Sequence, residues 1–81
     1  MKNTFSKNEK DFLKKLGEKI RGYRIRNDLS QEKLAFKANL DRTYISGIER
    51  GERNISVITL KKVTDALDVN ISDIFNIKIN R

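Results

Sequence analysis

Apolar residues recur along this chain at spacings of three and four, and the stripes they form predict five helices. The first is the longest. Ser6-Lys7-Asn8-Glu9 matches a capping box, in which the serine hydroxyl and the glutamate carboxylate each accept from the other's backbone N–H. From there Phe12, Leu13, Leu16, Ile20 and Tyr23 form one face running toward Asn27. Gly17 lies beside that face, where the missing side chain permits close approach of a neighbouring helix. Gly22 costs about 1 kcal/mol against alanine, with no packing reason legible in the sequence.

Four shorter helices follow. Ser30 caps a second one, Gln31 to Ala38, with Leu34, Ala35 and Ala38 facing inward. Asn39-Leu40-Asp41 is a tight connection in which Leu40 plugs the angle between two helices. Asp41 is then the N-cap of a third helix, its carboxylate expected to accept from the first free N–H groups. That helix runs from Arg42 to about Arg50 and stops on Gly51, which supplies a left-handed residue. Ile45 and Ile48, three apart, anchor it to a core. Ser56 caps a fourth helix with the stripe Leu60, Val63 and Leu67, and Ser72 a short fifth one carrying Ile74 and Phe75. Residues 76–81 alternate apolar and polar and suit a frayed helix end, a short strand or a disordered tail. With no proline and no low-complexity linker, residues 1–81 are expected to form a single domain.

Two short helices joined by a three-residue turn are the skeleton of a helix-turn-helix, here at about residues 31–50. An ordinary helical hairpin inside a bundle has the same spacing. The distinguishing feature is the outer side of the third helix, where Arg42, Thr43, Ser46 and Arg50 are donors and acceptors with no task in a core. A helix this short is not stable alone, so the rest of the domain must hold it out toward something.

Composition narrows what that something is. The 81 residues contain neither cysteine nor histidine, which removes disulfides, thiolate metal sites and the commonest general base. The acidic residues lack metal-ligand spacing and no glycine-rich phosphate loop follows a strand, so no cofactor and no enzymatic activity are expected. No apolar run approaches the roughly 18–20 residues needed to cross a bilayer, and the N-terminus does not read as a secretory signal; the expectation is a cytoplasmic protein without a membrane partner. Net charge is +7, with nine basic and three acidic residues up to Arg26 against nine and eight thereafter. Such a balance suits a polyanion, nucleic acid being the usual one.

The chain also resembles a known family, the Cro/repressor type of helix-turn-helix found in lambdoid phage repressors and many small bacterial regulators. The resemblance is carried by LGEKIRGYR, by LSQEKLAFKANLDRTYISGIERGERN and by TLKKVTDALDVNISDIF, which together span nearly everything from Leu16 to Phe75. Within the family, LDRTYISGIERGERN is most similar to the controller proteins of restriction–modification systems, small homodimeric transcription factors that regulate their own gene and the endonuclease gene. The implied fold is all-α: a compact five-helix, lambda-repressor-like DNA-binding domain. The implied partners are double-stranded DNA, a second copy of the chain, and RNA polymerase where the protein blocks or assists it.

Residue roles follow from the resemblance and from chemistry together. The resemblance gives Gln31 a DNA-backbone contact, at a helix start where phosphate is favoured. Arg42, Thr43, Tyr44 and Ser46 take the readout positions. Arg42 suits either a bidentate grip on guanine or a phosphate, and Thr43 a base edge or a thymine methyl. Ser46 suits a phosphate or a water-mediated base contact. The Tyr44 ring packs at the core rim while its hydroxyl reaches the backbone. Arg50, Arg53 and Asn54 are expected to clamp phosphates. Gly47 stands where several phage relatives project a base-reading side chain, so direct readout is expected to be sparse and DNA shape to carry more. The resemblance further implies a largely buried ion pair between Arg24 and Glu49. Ile71, Ile77 and Ile79 exceed what the core needs and are the expected dimer interface. An antitoxin, a phage-type repressor or a protein–protein adaptor without DNA would use the same fold.

Overall fold

The computed structural model describes residues 4–77. Five helices follow one another: α1 (Lys7–Arg26), α2 (Gln31–Ala38), α3 (Arg42–Glu49), α4 (Val57–Leu67) and α5 (Ile71–Ile74). The expected caps at Ser6, Ser30 and Ser56 all form, each hydroxyl accepting from the backbone N–H three residues on. Glu9 completes the capping box by accepting from the Ser6 N–H at 2.8 Å. These three starts were set by local chemistry alone.

Two starts differ from expectation. Asp41 occupies the N-cap of α3 with extended backbone, but its carboxylate makes no cap hydrogen bond. Its carbonyl instead receives the N–H groups of Tyr44 and Ile45. Ser72 does not cap α5; the cap position is Asn70, and Ser72 lies inside the helix. The earlier start turns Ile74 fully into the core and brings Ile71 against it, three residues apart on one face. Phe75 falls past the helix end, about half exposed, with its ring stacked 6.4 Å from that of Phe12.

Four helices end in the same way. Asp28, Asn39, Gly51 and Asp68 each adopt a left-handed conformation, and the next residue's N–H reaches back to a carbonyl five residues earlier. After α1, α2 and α4 that next residue is Leu29, Leu40 or Val69, and all three pack against the core. After α3 it is Glu52, which is exposed. Aspartate and asparagine tolerate this conformation, but the third ending requires glycine for a further reason. A Cβ on Gly51 would stand 2.7 Å from the Cα of Lys14.

The core is a single cluster in which Leu16 and Ile20 of α1, Leu34 and Ala35 of α2, Ile45 and Ile48 of α3, and Leu60, Val63, Leu67 and Ile74 meet. α2 packs on both α3 and α4, while α1 packs on α3 and α5. The α1–α3 contact is unusually close. A Cβ on Gly17 would run into the carbonyl oxygens of Ile48 and Glu49, the second at 2.7 Å. Gly22, on the same helix, has only the Arg26 side chain at 3.9 Å nearby, so nothing in the structure requires glycine there.

The second tie between α1 and α3 is ionic. Arg24 Nε donates to Glu49 Oε2 at 2.6 Å and Nη2 to Oε1 at 3.1 Å, a two-pronged pair with the Glu49 side chain only 3% exposed. Arg24 Nη1 also donates to the Leu29 carbonyl at 2.8 Å, and Gln31 Nε2 donates to Glu49 Oε1 at 3.0 Å. Glu49 therefore gathers side chains from α1 and α2 onto the end of α3. Among the described residues no buried side-chain polar atom lacks a partner.

Two contrasts test this account. Gly17→Ala should destabilise the fold by about 1–3 kcal/mol in denaturant unfolding, because the methyl group meets backbone rather than a mobile side chain. Gly22→Ala should be neutral or stabilising by up to about 1 kcal/mol, from helix propensity alone. Glu49→Gln should cost about 3–5 kcal/mol by stranding the Arg24 charge, and an unchanged unfolding midpoint would refute the anchoring role.

Candidate nucleic-acid interface

α3 separates its residues by function. Ile45, Ile48 and Glu49 face the core and α1, whereas Arg42 and Thr43 are exposed and Ser46 half-buried. Turns of about 100° per residue place Thr43, Ser46 and Arg50 close together on the outer side, with Arg42 at one margin and Gly47 at the other. Because Asp41 supplies no side-chain cap, the first turn of α3 keeps N–H groups that a phosphate is suited to accept from.

The polar residues after α3 form two small groups. Arg50 donates to the Ser46 hydroxyl through Nη1, and to Glu52 Oε1 through Nη2 at 3.0 Å. The hydrogen bond and the negative charge of Glu52 hold the Arg50 guanidinium above its ordinary pKa. Reciprocally, Glu52 is held below the usual carboxylate value, chiefly by the Arg50 hydrogen bond, with the charges of Arg50 and Arg53 adding to it. Both side chains are solvated, so the pair organises the surface rather than stabilising the fold.

Arg53 takes a different route. Its side chain folds back over α3, with Cζ 5.1 Å above the Tyr44 ring. A Cβ on Gly47 would stand 3.0 Å from Arg53 Nε and 3.1 Å from Cγ. The absent side chain at position 47 is thus replaced by an arginine from the loop, and Gly47 itself is buried beneath it. Asn54 lies exposed beyond it and also lines a cleft with Phe5, Phe12 and Ile77.

The remaining site residues divide between neighbourhoods. Gln31 opens α2 as expected, yet its amide is already committed in part to Glu49. Tyr44 packs against the core with its ring, as its amphipathic shape suggested. The expectation that Ile71 and Ile77 lie beyond the needs of the core is corrected: both are partly buried and pack against it, because α5 starts one cap earlier and the chain returns along α1. Lys19 Nζ fixes that return by donating to the Asn76 carbonyl at 3.0 Å. Ile79 lies outside the described residues. The exposed apolar residues are elsewhere. Val57 and Ile58 at the start of α4 are 73% and 68% exposed, and Phe36 on the outer face of α2 is 87% exposed. The sequence carried a signal for one of these: Ile58 is out of step with the buried α4 stripe, whereas Val57, three residues before Leu60, keeps its spacing and is exposed nonetheless.

Comparison with known proteins places the geometry in context. A helix-turn-helix family model matches residues 20–74. The chain is 48% identical over 61 residues to the control protein C.BamHI of Bacillus amyloliquefaciens, covering 74% of this chain and 75% of that protein. Among solved structures it resembles the restriction–modification controller protein C.AhdI from Aeromonas hydrophila, with 43% identity, 80% and 97% of the two chains covered and a TM-score of 0.76. It also resembles the controller protein C.Esp1396I, solved as a tetramer in complex with its natural 35 base-pair operator, at 42% identity and a TM-score of 0.73, over 79% of this chain and 84% of that one.

Proposed function

Because the chain belongs to the helix-turn-helix family, among relatives that are control proteins of restriction–modification systems, we propose that it is a controller protein of that kind. The family is one of DNA-binding transcription regulators and not of enzymes. In this reading the protein binds a pseudo-palindromic operator as a homodimer in the cytoplasm, and regulates its own gene and that of the endonuclease. The observation that carries it is α3 itself, locked to α1 through Gly17 and Glu49 while presenting Arg42, Thr43 and Ser46 outward.

Docked as a reading helix, α3 enters the major groove and α2 crosses the backbone. Arg42 grips a guanine edge or a phosphate, and Thr43 and Ser46 contact base edges or bridging water. Gln31 uses the second hydrogen of its amide on a phosphate. Arg50 and Asn54 hold the groove wall, and Arg53 lies beside them. One α3 touches too few base pairs to define an operator, so two copies about 34–36 Å apart are needed. The dimer face comes from the C-terminal half, where Ile71 and Ile77 are only partly covered and Val57 and Ile58 project into solvent. A dimer on one site blocks RNA polymerase, and on an adjacent site assists it. Binding two adjacent sites agrees with the tetramer that C.Esp1396I forms on its operator.

Gel-shift titration against duplexes from the region upstream of its own gene should give tight binding with a steep negative salt slope. Equal affinity for scrambled duplexes at physiological salt would refute the regulator reading, and absence of salt-dependent binding would favour a protein–protein adaptor. Arg42→Ala should cost about 1–3 kcal/mol on the operator and relax one base preference if Arg42 reads a base. A uniform loss across sequences assigns it to phosphate. Ile58→Asp should shift sedimentation from dimer toward monomer at equal concentration, while leaving the unfolding of the isolated domain nearly unchanged.

A further inference from the structure

The N-terminal half of α1 and the loop after α3 run side by side. A Cβ on Gly51 would stand 2.7 Å from the Cα of Lys14, so the chain leaves α3 in direct contact with α1. Asn54, further along the loop, shares a cleft with Glu9 and Leu13. The side of α1 next to this loop is basic. At about 100° per residue, Lys10, Lys14 and Arg21 fall within about 60° of Gly17, on the side away from the buried Leu13 and Ile20. All three are exposed, and among the described residues none forms an ion pair. Glu18 stands at the margin of this stripe, also without an ion pair, while Asp11 is engaged by Lys7 at 3.6 Å. Lys15 stands on the opposite side of the helix, and Lys19 is turned to the Asn76 carbonyl. With the core on one flank of the α1–α3 contact, the stripe shares the solvent flank with Arg50.

We propose that Lys10 and Lys14 form a second phosphate-binding strip, which takes the DNA backbone where it leaves the loop and extends the footprint beyond the base pairs that α3 spans. This rests on the operator-binding reading above and deepens it. The ligand is a run of phosphodiesters and not a base edge: an ammonium on a flexible stem is a point charge suited to phosphate, and lacks the planar fork that reads guanine. Each lysine releases condensed counterions on binding, so the strip adds affinity and salt dependence without adding sequence preference. The helix-turn-helix family model begins at residue 20, so both lysines precede the segment that it matches.

The test uses two duplexes built on a site that the wild-type protein selects from a random library. One ends at the site, and the other carries about one further DNA turn, roughly 10 base pairs, on each side. Wild type should bind the longer duplex more tightly; equal affinity for the two overturns the proposal. Lys10→Gln and Lys14→Gln should each weaken binding to the longer duplex by about three-fold or more, lower the salt slope by about one and reduce the length preference. Preference at every base pair of the site should survive, and the unfolding midpoint should not move, since both side chains are exposed. Lys15→Gln removes the same charge from the opposite side of α1 and should bind like wild type. If it loses as much as Lys14→Gln, net charge alone is at work and the strip is refuted. Lys10 and Lys14 variants that bind like wild type, or that flatten one base preference, refute it as well. Wild-type protein that selects no sequence at all refutes the operator reading instead, and the strip is then judged on random duplex by the same salt slopes.

Discussion

The approach of α3 to α1 constrains the rest of the molecule. At Gly17 the backbone carbonyls of Ile48 and Glu49 come so near to α1 that no side chain fits between. About two turns further along α1, Arg24 closes on Glu49 with two hydrogen bonds. The steric contact sets the distance between the helices, and the ion pair sets rotation and register. Neither alone is sufficient, because a helix of eight residues has little stability of its own and would otherwise roll on Ile45 and Ile48. Gln31 joining Glu49 extends the same lock to α2, so the two helices of the motif and the long first helix meet at one carboxylate.

Holding α3 at its C-terminal end has a consequence for the loop that follows. Gly51 must be glycine because it passes over Lys14, and the next residue, Glu52, is polar where the other helix endings place leucine or valine. The three apolar endings tuck the chain back onto the core. The fourth leaves the chain outside, and its residues fold instead over the outer side of α3. Arg50 settles on Ser46 and Glu52, and Arg53 on Tyr44 and Gly47. The basic surface beside Thr43 and Ser46 is thus a product of how α3 ends as much as of what α3 contains.

Much of this was legible beforehand, for identifiable reasons. Ser6, Ser30 and Ser56 announce helices because their hydroxyls bond to N–H groups only three residues away. The face of Leu34, Ala35 and Ala38, and that of Ile45 and Ile48, follow from spacing. Where signals were weak, reading faltered. Asp41 looked like a side-chain cap and caps only with its backbone. Ser72 looked like a fifth cap, but burying Ile74 and seating Ile71 outweighed one hydroxyl bond, and α5 begins at Ile71 with Asn70 as its cap. Ile71 and Ile77 looked surplus because the return of the chain along α1 has no local signature.

The sequence by itself determined the five helices, the helix-turn-helix, the family, and the outward set Arg42, Thr43 and Ser46, since each depends on interactions within about four residues or on a run of matched positions. Only the tertiary structure decided which atoms the glycines meet. The close approach at Gly17 and the left-handed stop at Gly51 were legible in the sequence, but the groups that press on them, and the absence of any at Gly22, come from packing. Gly17 and Gly51 are pressed by backbone, Gly22 by nothing, and Gly47 by an arginine six residues on. Position 47, which reads in sequence as a lost contact, is in three dimensions an occupied one. The reason is physical: an absent Cβ specifies space, and only packing specifies what fills it.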